Sequence, residues 1–164
     1  MSGGRSGPRT REQARIVEFS AGYTDRVLEF EKRLREEEPD TYYWEPDEEY
    51  RRSLERSFHD ERFKNAVSFL ALRGDKVTGR IDASLIASRC DAVCASAYLD
   101  WICVLKSERH SGTAQRLLEA LRGELRSRNV ATLIALMARN ADAQRFYRSV
   151  EGAQIHDEGI WISV

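Results

Sequence analysis

The stretch Arg109-His110-Ser111-Gly112-Thr113-Ala114 is where residue type and spacing first point to chemistry. A glycine-containing turn lets backbone amides converge on phosphate oxygens, and the N-terminus of a following helix adds partial positive charge, so the stretch is suited to a pyrophosphate. Its surroundings agree with an anionic ligand: Lys106 to Arg148 carries nine Lys and Arg against four acids. Thiol and metal chemistry fit less well. Cys90, Cys94 and Cys103 are an odd count with no histidine at finger-like spacing, and His59, His110 and His156 are scattered along the chain. Cys103 lies in an apolar run with no nearby histidine, which reads as inert packing rather than a nucleophile.

The elements that must position this turn follow from hydrophobic periodicity. Arg15 to Phe19 alternates as a short strand, and Thr24 and Asp25 offer capping oxygens to a helix that stops before Pro39. A second helix starts near Pro46 with Tyr50, Leu54 and Phe58 on one face. Val67 to Ile86 breaks at Arg73-Gly74-Asp75 and predicts a hairpin. Arg89 to Ala95 reads as a connection and Tyr98 to Leu105 as a strand that leads into the glycine turn. Ala114, Leu117, Leu118, Leu121 and Leu125 then form a helical stripe. Val130 to Met137, almost unbroken in apolar residues, predicts a central strand covered on both faces. Asn140 precedes Ala143, Phe146, Tyr147 and Val150 at helical spacing, Gly152 stops that helix, and Ile160 to Val164 predicts a last strand. The order β-α-α-β-β-β-α-β-α-β-β implies an α/β fold with one mixed sheet flanked by helices.

Asn140-Ala-Asp-Ala143-Gln-Arg-Phe146-Tyr147 follows the glycine turn one strand later, and with this pair of motifs the chain resembles the GNAT acetyltransferase superfamily. The likeness covers residues 15 to 164 in element order. It implies acetyl-CoA as co-substrate, with Arg109, His110, Ser111, Gly112, Thr113 and Ala114 at the pyrophosphate and Asn140, Ala143 and Phe146 beside the pantetheine arm and thiol. It also implies that the backbone of Ile102, Cys103 and Val104 pairs with the pantetheine amides as an added strand would. Tyr147 matches the tyrosine that protonates the departing thiolate, and Asp100 stands where the family often has a carboxylate that takes the amine proton. Direct attack in a ternary complex is then expected, without a covalent acyl-enzyme. Gly152-Ala153 departs from the Gly-aromatic pair common after the last helix, which bears on the packing of the final hairpin.

The acceptor is addressed by Glu36 to Glu49, which holds eight acids, no Lys or Arg, and Tyr42, Tyr43 and Trp44. Asp40, Tyr43, Trp44, Glu45 and Asp47 are the expected substrate-binding residues, because acids attract a polycation and aromatic rings stack on sugar faces or cations. A solvated helix end and an acidic helix start account for part of the same pattern. An aminoglycoside-type antibiotic or a polyamine is the acceptor expected first, which would make antibiotic resistance the role. A peptide or protein N-terminus, or an acyl-CoA-binding domain without turnover, stands as the alternative. Formal net charge of -1 argues against nucleic acid. No apolar stretch is of membrane-spanning length, and residues 1–13 read as a disordered leader ahead of a single domain over 14–164. A cytoplasmic protein without metal is expected, with a homodimer left open.

Overall fold

The computed structural model describes residues 13–87, 89, 95–156 and 159–163. Cys90, Cys94, nearly all of the leader and most of the Arg89 to Ala95 connection lie outside the described residues. Strand β1 (Arg15–Glu18) is followed by helices α1 (Thr24–Glu37) and α2 (Glu48–Ser57), then by strands β2 (Ala66–Arg73), β3 (Lys76–Ile86) and β4 (Ala95–Val104). Helix α3 (Thr113–Ser127), strand β5 (Val130–Ala135) and helix α4 (Ala141–Ser149) complete the regular elements among the described residues.

The five strands form one sheet in the order β1-β2-β3-β4-β5, antiparallel except for the parallel β4–β5 pair. The β2–β3 hairpin closes at Arg73↔Lys76, with Gly74 at φ +57°, where a residue without a Cβ is least strained. Each face of the sheet buries its own core. Val27, Phe30 and Leu34 of α1 pack with Leu70, Leu72, Val77 and Cys103 on one side. Leu117, Leu118, Leu121 and Leu125 of α3 pack with Ala71, Ile81, Ala83 and Leu99 on the other, and Phe146 and Tyr147 of α4 join there. Helix α1 thus buries Val27, Phe30, Glu31 and Leu34, a stripe at i, i+3, i+4 and i+7 that includes one acid.

Two expectations are corrected. Val130 to Met137 does not form a central strand: β5 ends at Ala135 and is the edge strand of the sheet among the described residues, with Ile134 46% and Leu136 41% exposed. An unbroken apolar run does not distinguish coverage on both faces from coverage on one, and only neighbouring elements decide. The strand expected over Ile160 to Val164 is not formed among the described residues, where Ile160, Trp161 and Ile162 are all strongly exposed. Alternation supplies propensity, but a strand needs an edge to pair with and a face to bury.

Candidate active site

Strand β4 is built differently at its two ends. Ser96 to Leu99 is paired on both sides, with β3 and with β5. Beyond Leu99 the β5 partner ends, so the edge from Asp100 to Val104 is bordered by β3 alone. At the same point the β3–β4 register slips: Asp82 faces Trp101 and Ala83 faces Leu99, which leaves Asp100 as the extra residue of a β-bulge. A bulge re-aims the side chain it carries. Asp100 and Trp101 therefore both border a cleft on the α1–α2 face of the sheet.

Past the open edge of Ile102, Cys103 and Val104, the chain turns into α3. His110 at φ 60° and Gly112 at φ +75° bracket this turn in left-handed conformation. No side chain caps α3, in contrast to α2, where Asp47 accepts from Tyr50 N, and α4, where Asn140 accepts from Ala143 N at 2.8 Å. The first amides of a helix have no partner within it. The hydroxyls nearby are engaged: Ser111 Oγ donates to Glu108 O and shares a 2.8 Å hydrogen bond with Thr113 Oγ1. An uncapped helix start beside an open strand edge suits a ligand with an anionic end and an amide-bearing arm, the chemistry of coenzyme A.

Arg109 plays a different part from the one its charge implies. Its guanidinium grips Glu38 at 3.0 and 2.5 Å, reaches Asp142 at 3.3 Å and donates from Nε to Val104 O at 3.2 Å. The Arg109–Asp142 contact joins the turn before α3 to the first turn of α4, so the two motifs of the sequence meet in space. Within α4, Asn140 acts as cap, Ala143 supplies the capped amide, and Phe146 packs edge-on to Tyr147 with ring centroids 5.2 Å apart. Burial, and secondarily the Tyr98 phenol, pushes the Tyr147 hydroxyl above the ordinary phenol range, and no hydrogen bond ties it among the described residues. Tyr147 stays protonated at neutral pH and is free to donate.

The cleft on the opposite face of the sheet has a volume of about 920 Å³ and is bordered by Glu18, Glu31, Asp60, Glu61, Asp82 and Asp100 against Lys64 and Arg80. Its excess of acid favours a cationic guest. Burial raises the Asp100 carboxyl above the usual carboxylate range, while a 2.6 Å hydrogen bond donated by Ser84 Oγ works in the opposite sense and the charge of Asp82 adds to the rise. Arg80 is spent within the protein. It donates to Glu31 at 2.8 Å and to Asp82 at 3.2 Å, and its guanidinium lies 4.9 Å from the Phe19 ring and 5.5 Å from the Trp101 ring. Arg80 Nε also lies 2.7 Å from Asp82 Oδ2, without the alignment of a hydrogen bond.

Of the expected acceptor residues, only Trp44 borders this cleft. Tyr43 is 84% exposed, Asp40 is exposed, Glu45 pairs with Arg35 and Asp47 caps α2. Cys103 is 4% exposed and shares a 3.0 Å hydrogen bond with the Tyr42 hydroxyl, and burial pushes its thiol up to about 12. A thiol so far from ionisation is no nucleophile. The sequence reading passed over Glu31, Arg80, Asp82 and Trp101. Two signals mark the first three: an acid inside the apolar stripe of α1, and the alternation of Thr78, Arg80, Asp82 and Ser84 with apolar residues along β3.

Comparison with known proteins agrees with this geometry. The Acetyltransferase (GNAT) family profile matches residues 29–152. No curated relative matches the sequence. Among solved structures, an aminoglycoside acetyltransferase from an uncultured soil metagenomic sample, in complex with sisomicin, superposes with TM-score 0.77 at 13% identity, covering 92% of this chain and 95% of that one. A ribosomal-protein-alanine N-acetyltransferase from Brucella melitensis biovar Abortus 2308 gives TM-score 0.71 at 15% identity over 93% and 99% of the two chains. The aminoglycoside 6'-N-acetyltransferase of Acinetobacter haemolyticus gives 0.69 at 18% identity over 92% and 97%. With strands β2 to β5, the open edge of β4 and the uncapped α3 all present inside the matched span, the chain belongs to the GNAT acetyltransferase family.

Proposed function

We propose that this protein transfers the acetyl group of acetyl-CoA to a primary amine of a small cationic acceptor, of aminoglycoside or polyamine type, held in the acidic cleft. The observation that carries the reading is Asp100: the β4 bulge turns its carboxylate into the cleft at the point where the strand edge on the β5 side becomes free. Cofactor arm and acceptor amine would then approach one stretch of backbone from two sides. The family uses acetyl-CoA, and the residues present suit it: amides at His110 to Ala114 for the pyrophosphate and the Ile102 to Val104 edge for the pantetheine.

In this reading Asp100 accepts a proton from the acceptor's ammonium, directly or through water, which frees the amine to attack, and Tyr147 donates to the departing thiolate. The new amide C–N bond forms as the thioester C–S bond breaks, and no enzyme nucleophile intervenes. Much of the rate comes from holding two substrates in register. Support for a cationic acceptor comes from the excess of carboxylates around the cleft, while solved neighbours that act on aminoglycosides share only the fold at such low identity. The test is thiol release from acetyl-CoA across a panel of aminoglycosides, spermidine and short peptides. Turnover of the polycations carries the reading, and peptides as the best acceptors would replace it with N-terminal acetylation.

A further inference from the structure

Glu31 has no part in the chemistry just described, yet it is the one buried acid among the described residues, with its side chain wholly shielded from solvent. It accepts from Trp44 Nε1 at 2.9 Å, from the Tyr50 hydroxyl at 2.8 Å and from Arg80 Nη1 at 2.8 Å. These donors belong to three separate parts of the chain: the connection after α1, helix α2 and strand β3. All three border the acceptor cleft.

Stability does not explain such a residue. Burying a carboxylate is costly, and replacing a buried ion pair by apolar side chains of similar volume is often neutral or stabilising. Apolar side chains at positions 31 and 80 together would extend the apolar stripe of Val27 and Leu34 without the cost of burying charge. What the carboxylate supplies is position. The segment carrying Trp44 has no regular secondary structure between Tyr42 and Asp47, so its backbone does not fix the indole. The hydrogen bond to Glu31 does, and it sets Trp44 edge-on to Trp101 at 5.8 Å. Through Arg80 the same carboxylate governs the cleft floor, because the guanidinium lies against Trp101 and holds Asp82, which also accepts from Ser68 Oγ at 2.6 Å.

We propose that Glu31 is the positioning residue of the acceptor cleft: by binding Trp44, Tyr50 and Arg80 together it fixes the aromatic wall against which the acceptor rests, and so sets which amines are taken. The inference rests on the acyl-transfer reading above. It also says where the acceptor's charge goes. The ring faces of Trp101 and Phe19 already hold Arg80, so an acceptor ammonium is left to the cleft carboxylates, Asp100 among them, and Trp44 is left to contact a weakly polar surface such as a sugar ring.

Steady-state kinetics on the full chain and on Glu31→Gln and Trp44→Phe test this, with acetyl-CoA and the best acceptor varied in turn. Trp44→Phe removes the donor while leaving the buried carboxylate in place, so it reads the wall even where Glu31→Gln fails to fold. Both variants are expected to raise the KM for the acceptor about tenfold, with kcat and the KM for acetyl-CoA changed less than about threefold. Collisional quenching of tryptophan fluorescence, in a Trp161→Phe background that removes an exposed indole outside the cleft lining, is expected to increase in Glu31→Gln as Trp44 is released. An unchanged acceptor KM in either folded variant, or a KM for acetyl-CoA raised to the same degree, overturns the proposal. Should the unaltered protein turn over no amine, the acyl-transfer reading fails instead, and the quenching still decides: greater accessibility upholds the positioning role and equal accessibility removes it.

Discussion

Arg109 Nη1 lies 3.3 Å from Asp142 Oδ2, and the same guanidinium closes on Glu38 at the end of α1. The charge that a sequence reader assigns to a phosphate is thereby used to lock the turn before α3 against α4. On the proposed reading, backbone amides are left to bind the pyrophosphate.

Gly112→Asp tests that division of labour. Position 112 has φ +75° with nothing within 4 Å of an added Cβ, and aspartate tolerates the left-handed region, so the variant is expected to fold with a stability loss of about 1 kcal/mol. Its carboxylate would stand among the amides that receive the pyrophosphate. Calorimetry is expected to show at least a hundredfold weaker binding of CoA, equivalent to about 2.7 kcal/mol. Unchanged affinity in a folded variant would move the cofactor elsewhere.

Tyr147→Phe keeps the edge-on packing against Phe146 and deletes only the hydroxyl. Because that hydroxyl acts after binding, kcat should fall by about two orders of magnitude while the KM for acetyl-CoA moves little. Burial holds the phenol above its ordinary range, so the parent enzyme should show no alkaline loss of rate from Tyr147 until above the pH where a free tyrosine ionises. Equal rates in parent and variant across pH would return Tyr147 to packing.

Asp100→Asn addresses the other proton. A base works when ionised, and since burial raises this carboxyl, activity should fall as pH drops through a value higher than that of a solvated aspartate. The asparagine variant should lose that acidic limb together with about a hundredfold in kcat/KM for the acceptor. The limb surviving in the variant would assign it to the acceptor amine and leave Asp100 as a binding group.

How far these residues could be read in the sequence depends on what fixes them. Both motif segments, the α3 stripe and the hairpin at Gly74 are local patterns, and they stand where periodicity and turn chemistry put them. Asp100 stood out through the family resemblance, but the bulge that aims it is a property of two strands in register. Glu31 and Arg80 are harder to read, because a charge is ordinarily assigned to the solvent side; the pattern marks their positions, and the packed α1–sheet interface shows them joined. The acidic run from Glu36 to Glu49 shows the reverse error of scale: its composition is conspicuous, yet Glu45 and Asp47 are engaged with Arg35 and the α2 amides. The last strand failed for a third reason, since alternation does not name a partner.

Cys103→Ala is expected to retain turnover within about threefold and to lose about 1 kcal/mol of stability through the missing thiol contacts. Its thiol is buried, hydrogen-bonded to Tyr42 and far from ionisation. Intact-protein mass spectrometry after mixing the unaltered enzyme with acetyl-CoA alone should show no acetyl adduct. A stable adduct lost in Cys103→Ala would establish a covalent route.

Salt separates residues that touch the acceptor from those that only attract it. Asp40 is exposed and Glu45 is paired with Arg35, so neutralising both as Asn and Gln removes surface charge from the segment that carries Trp44 without removing a cleft-lining group. Such charges act over distance, and their influence fades as the screening length shortens from about 10 Å at 0.1 M salt to about 3 Å at 1 M. The double variant should therefore lose about two- to threefold in kcat/KM for a polycation at low salt and nothing at high salt, chiefly through slower encounter. Asp100→Asn should keep its deficit at both. Asp47→Ala belongs apart, since Asp47 accepts from Tyr50 N at 2.8 Å: its expected cost is about 1 kcal/mol of stability from the lost cap, read as a lower Tm, with acceptor kinetics little changed. A deficit of the Asp40 and Glu45 variant that persists at high salt would put those side chains in contact with the acceptor. Peptides and polycations responding alike to every one of these changes would remove the cationic acceptor from the reading altogether.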